Sequence, residues 1–441
     1  MEEVGMGFGL TLLAIAVILL TAKLSNLVEN FGQPAVLGEL VVGMILGNLI
    51  FLNVGFFELV KENEVITFLA ELGVIILLFQ VGLESNLATM RQVGARAGLV
   101  AIVGVVVPFV LGTYIVGPLL LPGLDSNAYI FLGATLTATS VGITARVFRD
   151  LGRLQDREAQ IVLGAAVIDD VLGLIILAVV SAIVTLGSVS VLDIGWIALK
   201  ALLFLVGATA IGKLMGPYIG AGFSKIQWGI GMKFVSAISA CLIFAFLAEV
   251  IGLAPIVGAF AAGLVLDPVY FKHFASAKVI EDMREAVHAP ETDSETRNRL
   301  ERIIEHHSHH HVEDLIEPLS YFLVPIFFVR TGMEVNLASL LDLQIILVAL
   351  GVTIVAFAGK IVAGYVAGDV RRAVVGWGMV PRGEVGLIFA SIGQSLGVIS
   401  EGLFSVIVIM VILSTLITPT VLTILLKRQD APQDAPVPQQ V

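Results

Sequence analysis

Apolar runs of about bilayer length fill this chain, with short polar links between them. A hydrocarbon core of about 30 Å takes roughly 20 residues of α-helix. Thirteen segments meet that length, near 6–26, 34–52, 64–82, 97–120, 127–147, 158–186, 191–219, 229–250, 252–267, 317–334, 342–366, 374–397 and 402–426. The ninth is short enough to be re-entrant or to merge with a neighbour. The pattern predicts an all-α polytopic membrane protein, with a membrane domain over 1–426. Two stretches break the pattern. Residues 268–316 form a polar insert with helical signatures in VIEDMREAV and ETRNRLERIIEHH, and 427–441 end in a Pro-rich tail that reads as disordered.

Composition agrees. Of 441 residues, 57% are hydrophobic and 14% charged, against about 25% charged in a soluble domain. Mean hydropathy is +0.99. These values exclude a cytosolic enzyme, a nucleic-acid binder and a disordered chain. The 45 glycines suit close helix packing in lipid. One cysteine, Cys241, leaves no intramolecular disulfide and no cysteine-rich zinc site. The net charge of −11 is carried largely by loops and tails, so it says little about partners.

The basic residues orient the chain. Links after odd-numbered segments carry Lys23, Arg91, Arg96, Arg149, Arg153, Arg157, Lys225 and the cations of the insert, then Arg371, Arg372, Lys427 and Arg428. The opposite links carry little beyond Lys61. Positive residues stay in the cytoplasm, so the N-terminus is expected outside and the C-terminus inside. Residues 1–5 lack the basic start of a cleavable signal peptide.

An internal echo follows. LLFQVGLESNLA (77–88) matches FFVRTGMEVNLA (327–338), placing Gly82 on Gly332, Glu84 on Glu334 and Asn86 on Asn336. The two lie seven segments apart, and an odd offset inverts one copy in the membrane. Segments five (TATSVGITARVF) and twelve (GMVPRGEVGLIF) share that offset, and both hold small or helix-breaking residues, Gly142 in one and Pro381, Gly383 and Gly386 in the other. Paired interrupted helices in two inverted halves mark the binding site of a transporter.

Charges at mid-bilayer cost roughly 2.5–3.5 kcal/mol each on insertion scales, so they are functional candidates by default. Asp169 and Asp170 lie in the middle of LGAAVIDDVLGLIILAVV with no basic residue on the same helix. Successive helical positions diverge by about 100°, so one acid can meet a fixed cation while the other faces a cavity. Burial and mutual repulsion tune the proton affinity of such a pair. A tuned carboxylate holds either a proton or a small hard cation, which is the competition an exchanger needs. Lys360, central in VTIVAFAGKIVAGYVAG, is the natural partner for one aspartate and a second possible proton carrier. Arg382 and Glu384 occupy the broken twelfth segment and are expected to pair with each other, or with Glu39 or Glu71, with a part in transport chemistry or, for all four, gating as the alternative. Thr139 and Ser140 stand at the break of the fifth, to cap a half-helix or to coordinate Na⁺. Arg330 closes the tenth segment in a structural role. The tract EHHSHHHVEDL, with His306, His307, His309, His310 and His311, reads as a solvated loop, with pH sensing or metal binding as its alternatives.

QPAVLGELVVGMILG (33–47), LAELGVIILLFQVGLE (69–84), VIDDVLGL (167–174), GLAPIVGAFAAGLVLD (252–267) and GMVPRGEVGLIFA (378–390) together resemble the monovalent cation:proton antiporter-2 family over about 10–426. Within it, an Asp-Asp pair with a Lys resembles the bacterial electrogenic Na⁺/H⁺ exchangers. The glutathione-gated potassium efflux systems share the fold but typically carry Gln-Asp and a nucleotide-binding domain. The resemblance implies a homodimer, a scaffold domain (about 6–52 and 191–267) and a core domain (about 64–186 and 317–426) with crossed broken helices. It implies that Asp170 is the main ion- and proton-binding carboxylate, that Asp169 bridges to Lys360 until sodium binds, and that Thr139 and Ser140 form the polar break. No role carries over to the His-rich insert.

The expected function is therefore exchange of Na⁺ or Li⁺ for H⁺ by alternating access, electrogenic, without a cofactor, with K⁺/H⁺ antiport or K⁺ efflux as the alternative. The expected membrane is a bacterial plasma membrane, or an internal photosynthetic one. An intramembrane aspartyl protease is disfavoured because its two acids must come from different helices. A channel would want rings or filters of carbonyls. An organic-anion transporter on the same fold is a further alternative.

Overall fold

The computed structural model describes residues 7–31, 34–52, 55–84, 94–186, 191–226, 229–266, 311–335 and 342–427. Among them there are helices and no strand. In chain order they are α1 (Phe8–Ser25), α2 (Ala35–Gly47), α3 (Glu64–Glu84), α4 (Gly94–Val110), α5 (Ser126–Thr135), α6 (Val141–Asp150), α7 (Arg157–Leu186), α8 (Val191–Ile226), α9 (Ile230–Val250), α10 (Pro255–Val265), α11 (His311–Met333), α12 (Leu343–Ile361), α13 (Arg372–Gly378), α14 (Glu384–Ser395) and α15 (Glu401–Lys427). Nine helices among the described residues are long and apolar enough to cross a bilayer. Segments two and nine are the shorter helices α2 and α10, while five and twelve are split into α5/α6 and α13/α14.

Several boundaries differ from those read in the sequence. α11 begins at His311, ahead of the apolar run, because its first turns are polar but still helical. α8 continues to Ile226, seven residues beyond the expected end. Pro108 sits inside α4, whose hydrogen bonding then loosens into a π-turn over Leu111–Val116 before the helix ends at Leu120. A proline that removes one ladder bond accounts for such a local adjustment. Large apolar side chains such as Phe68, Leu203, Leu214 and Phe246 point outward, the surface a lipid-facing helix needs.

Two close crossings organise one side of the bundle. α3 packs against α10, and α11 against α2; α3 and α11 also pack on each other. A Cβ on Gly82 would lie 2.3 Å from the Phe260 carbonyl oxygen and 3.0 Å from Cα of Gly263. On Gly43 it would lie 2.2 Å from the Val329 carbonyl oxygen and 2.9 Å from Cα of Gly332. Backbone meets backbone at both places, so only glycine allows this approach. The two glycines that the sequence echo aligned, Gly82 and Gly332, thus make equivalent contacts.

α12 packs on α4 and α15. Around a second apolar centre, which holds Ala97, Ala165 and Val375, α7 packs on α4 and α13. Its polar rim joins the start of α7 to the start of α13, where Arg371 Nε lies 3.0 Å from Glu158 Oε1.

Candidate ion-binding site

The two breaks are built by the residues at them. α5 ends at Thr135, and the hydroxyls of Thr135 and Thr137 donate back to the Leu132 and Ala134 carbonyls at 2.7 Å each. Hydroxyl back-bonding of this kind competes with continued helix. The break spans 136–140, ahead of Gly142, which lies within α6. Gly142 therefore lies past the interruption, inside α6. In the second break Pro381 has no N–H to donate, and the freed groups of Arg382 find α15. The Arg382 N–H donates to Ser414 Oγ at 3.1 Å, and Thr415 Oγ1 donates to the Arg382 carbonyl at 2.9 Å.

The breaks abut. The Ser140 N–H donates to the Pro381 carbonyl at 2.8 Å. Thr139 Oγ1 reaches the Met379 carbonyl at 3.4 Å, and Thr144 Oγ1 donates to the Gly378 carbonyl at 2.6 Å. A Cβ on Gly383 would lie 2.7 Å from both Cβ and Oγ of Ser140. Glycine at that position is what lets the chains touch. The N-termini of α6 and α14 meet here, and each carries partial positive charge. Glu384, in the first turn of α14, offsets it and accepts a hydrogen bond from Ser140 Oγ at 3.3 Å.

Beside the crossing, α7 and α12 bring together the charges singled out in the sequence. Lys360 Nζ donates to Asp169 Oδ1 at 2.9 Å, and the two side chains are 0% and 1% exposed. Asp170, one residue along α7, is half-buried and within electrostatic reach of Lys360. The Lys360 ammonium lies against α4 at Gly104, where a Cβ would stand 3.5 Å from it. Lys360 is thus held by helix packing from one side and by Asp169 from the other.

Arg382 departs from expectation. It is 0% exposed and pairs with none of Glu384, Glu39 or Glu71. Its Nη1 donates to the Ala138 carbonyl at 2.9 Å and its Nη2 to the Ala356 carbonyl at 3.2 Å. Ala138 lies at the break of the fifth segment and Ala356 within α12, and the two carbonyls carry partial negative charge that a guanidinium fork matches. They are closer than any of the expected acids. Glu39 is buried in α2, where Lys23 and Glu29 are the charges that act on it, and Glu71 faces outward from α3. Arg330 bonds the Lys61 carbonyl at 3.2 Å and lies 3.6 Å from Glu334, a structural role as expected. His306, His307, His309 and His310 lie outside the described residues. His311 opens α11, and no group of His, Cys, Asp and Glu fit to hold a metal occurs among the described residues.

Sequence reasoning missed Thr144, Ser414, Thr415 and the backbone of Ala138 and Ala356. A signal existed for two of them: ILSTLITP places paired hydroxyls in an otherwise apolar run, where they need partners.

With this geometry in place, the comparisons decide the family. Residues 15–290 and 300–428 match the transmembrane sodium/hydrogen exchangers. The chain belongs to that family. It is 34% identical to the high-affinity Na⁺/H⁺ antiporter NhaS3 of Synechocystis, over 97% of this chain and 92% of that protein. It is 35% identical to the Na⁺/H⁺-K⁺ antiporter GerN of Bacillus cereus, over 92% and 94%. A Na⁺/H⁺ antiporter of Enterococcus hirae is 30% identical, again over 92% and 94%. The fold matches the structure of the sodium proton antiporter MjNhaP1 from Methanocaldococcus jannaschii at pH 8, with a TM-score of 0.63 and 15% identity over 94% of this chain and 98% of that one. A member of this exchanger family with nine long apolar helices among its described residues is an integral, multi-pass membrane protein.

Proposed function

We propose that the chain exchanges Na⁺ or Li⁺ for H⁺ across the membrane by alternating access. One observation carries this: a fully buried Asp169–Lys360 pair with Asp170 beside it, at the place where two broken helices abut. Asp170 is the main seat for the ion and the proton. Asp169 is released from Lys360 as the ion arrives. Thr139 and Ser140 supply oxygens at the break. With every group ionised, the site has three carboxylates (Asp169, Asp170, Glu384) against two cations (Lys360, Arg382). A bound Na⁺ cancels the remaining charge, so the loaded site crosses an apolar barrier more cheaply than the empty one. Electrogenic exchange of more than one proton per cation follows if Asp169, Asp170 and Lys360 all take part. Na⁺ and H⁺ are cargo, and no cofactor enters. The similarity to GerN, a Na⁺/H⁺-K⁺ antiporter, favours one second reading, in which K⁺ is also carried.

The architecture proposed with it has thirteen crossings, the N-terminus outside and the C-terminus inside. The spread of basic residues supports this. So does a cavity of about 340 Å³ where Asn48, Glu58, Lys61, Glu334 and Glu401 converge; these lie in links or at segment ends that the topology places on one face. The matched Gly82–Gly263 and Gly43–Gly332 crossings support two inverted repeats. A scaffold and a core domain are proposed as before, except that the packing of α3 and α11 on α10 and α2 draws those two helices to the scaffold. A homodimer forms through the scaffold. The membrane is a bacterial plasma membrane, with an internal photosynthetic one as the alternative.

The test is exchange in proteoliposomes, read as dequenching of a pH dye when Na⁺, Li⁺ and K⁺ are added separately. Na⁺ and Li⁺ should dequench, and Asp170→Asn should abolish the signal. Unimpaired exchange in Asp170→Asn would refute the assignment, and a response to K⁺ above that to Na⁺ would select the second reading.

A further inference from the structure

Two buried polar atoms at the site have no hydrogen-bond partner. One is Asp169 Oδ2, the oxygen turned away from Lys360; the other is Arg382 Nε. Both belong to side chains that are at least nine-tenths buried, and Asp169 and Arg382 are within electrostatic reach of each other. A buried acceptor and a buried donor left unmade each cost on the order of 1–3 kcal/mol, more for charged groups. Their company in one pocket therefore calls for an account.

Proposed exchange at this site requires Asp169 to leave Lys360, and an uncompensated charge that deep is strongly disfavoured. Bulk solvent touches neither side chain in the present arrangement, since Asp169 is 2% and Arg382 0% exposed. Arg382 is the one other cation placed to receive the carboxylate among the charges described at the site. Its charge is permanent. Two of its nitrogens are tied to the carbonyls of Ala138 and Ala356, so the guanidinium is fixed, with Nε left over. Ala356 lies four residues before Lys360 on α12, one helical turn away. Both cations thus lie along one strip of α12, and Asp169 acts electrostatically on both.

We propose that Asp169 changes partners during transport: it is bound by Lys360 in the empty site and by Arg382 Nε in the sodium-loaded site. Arg382 is then a positioning residue for the reaction, beyond its place at the helix crossing. Handing the carboxylate from one cation to the other keeps it compensated throughout and frees Lys360 to move independently. The inference rests on the exchange reading above.

The direct test is a structure of the wild-type protein with Na⁺ bound. Asp169 should have left Lys360, with one oxygen within hydrogen-bond distance of Arg382 Nε. Asp169 still on Lys360, or turned to neither cation, would overturn the proposal. Rates supply an independent arm. Arg382→Lys keeps the charge and Arg382→Gln loses it, and both break the fork to the two carbonyls. Exchange in Arg382→Lys should stay within about threefold of wild type. Arg382→Gln should lose at least tenfold in maximal rate while its sodium KM moves less than threefold. Equal losses in the two variants would show a purely structural arginine and overturn the proposal. Should neither variant fold, the sodium-bound structure still decides. Wild-type protein without Na⁺/H⁺ exchange would sink the functional reading itself, an outcome distinct from exchange with Asp169 unmoved.

Discussion

Lys360→Gln is the perturbation whose consequence the structure bounds most tightly. Lys360 and Asp169 are 0% and 1% exposed and 2.9 Å apart, so solvent does not screen the pair. Removing one partner of a buried pair typically costs about 3–5 kcal/mol where the other charge is stranded, an upper bound here because Arg382 is within electrostatic reach of Asp169. The half-buried Arg371–Glu158 pair, 26% and 13% exposed, is nearer the exposed case, where such pairs contribute about 0–1 kcal/mol. Lys360→Gln should therefore lower the apparent melting temperature of detergent-purified protein well below that of Arg371→Ala. Removing both charges leaves nothing stranded and is often close to neutral. Asp169→Asn/Lys360→Gln should thus recover most of the lost stability, a non-additive result of the kind contacting residues show. A Lys360→Gln protein as stable as wild type, or a double variant no better than the single, would refute this account of the pair.

Other expectations follow from close contacts. Gly43→Val places a side chain into the backbone of α11 and should abolish monodisperse, folded protein in size-exclusion chromatography, whereas Gly98→Ala, with nothing within 4 Å, should leave the profile unchanged. Gly383→Ala should push Ser140 away and reduce exchange, and adding Ser140→Gly should restore folded protein to near wild-type yield, because the opposing Cβ is gone. Voltage dependence of transport, followed at imposed membrane potentials, should weaken in Lys360→Gln more than sodium binding does; unchanged voltage dependence would count against a charge-carrying role for the lysine.

Much of the fold could be read from the chain because lipid imposes a simple rule of length and polarity. Every apolar run became a helix, and the isolated charges Asp169 and Lys360 found each other, since few alternatives exist for two opposite charges in oil. Arg382 shows where that logic stops. Its polarity marked it, but its partners are main-chain carbonyls of Ala138 and Ala356, and no residue type announces which carbonyl will accept. Gly142 failed for a related reason: the interruption lies at 136–140, where the Ser140 N–H donates to the Pro381 carbonyl of the neighbouring break. Such choices depend on which helix lies opposite, and that is set by glycine crossings such as Gly43–Gly332 rather than by any local pattern. Glu71 was misjudged likewise, since its position along α3 did not reveal which face would point outward.

The central claim is that a proton and an alkali cation compete for one carboxylate site. Proton release on adding NaCl to purified protein in weakly buffered solution tests it most directly, with choline chloride as the control. Sodium should release protons in proportion to the protein present, and Asp170→Asn should release none. Sodium binding, shown by isotope retention, without any proton release would contradict the account.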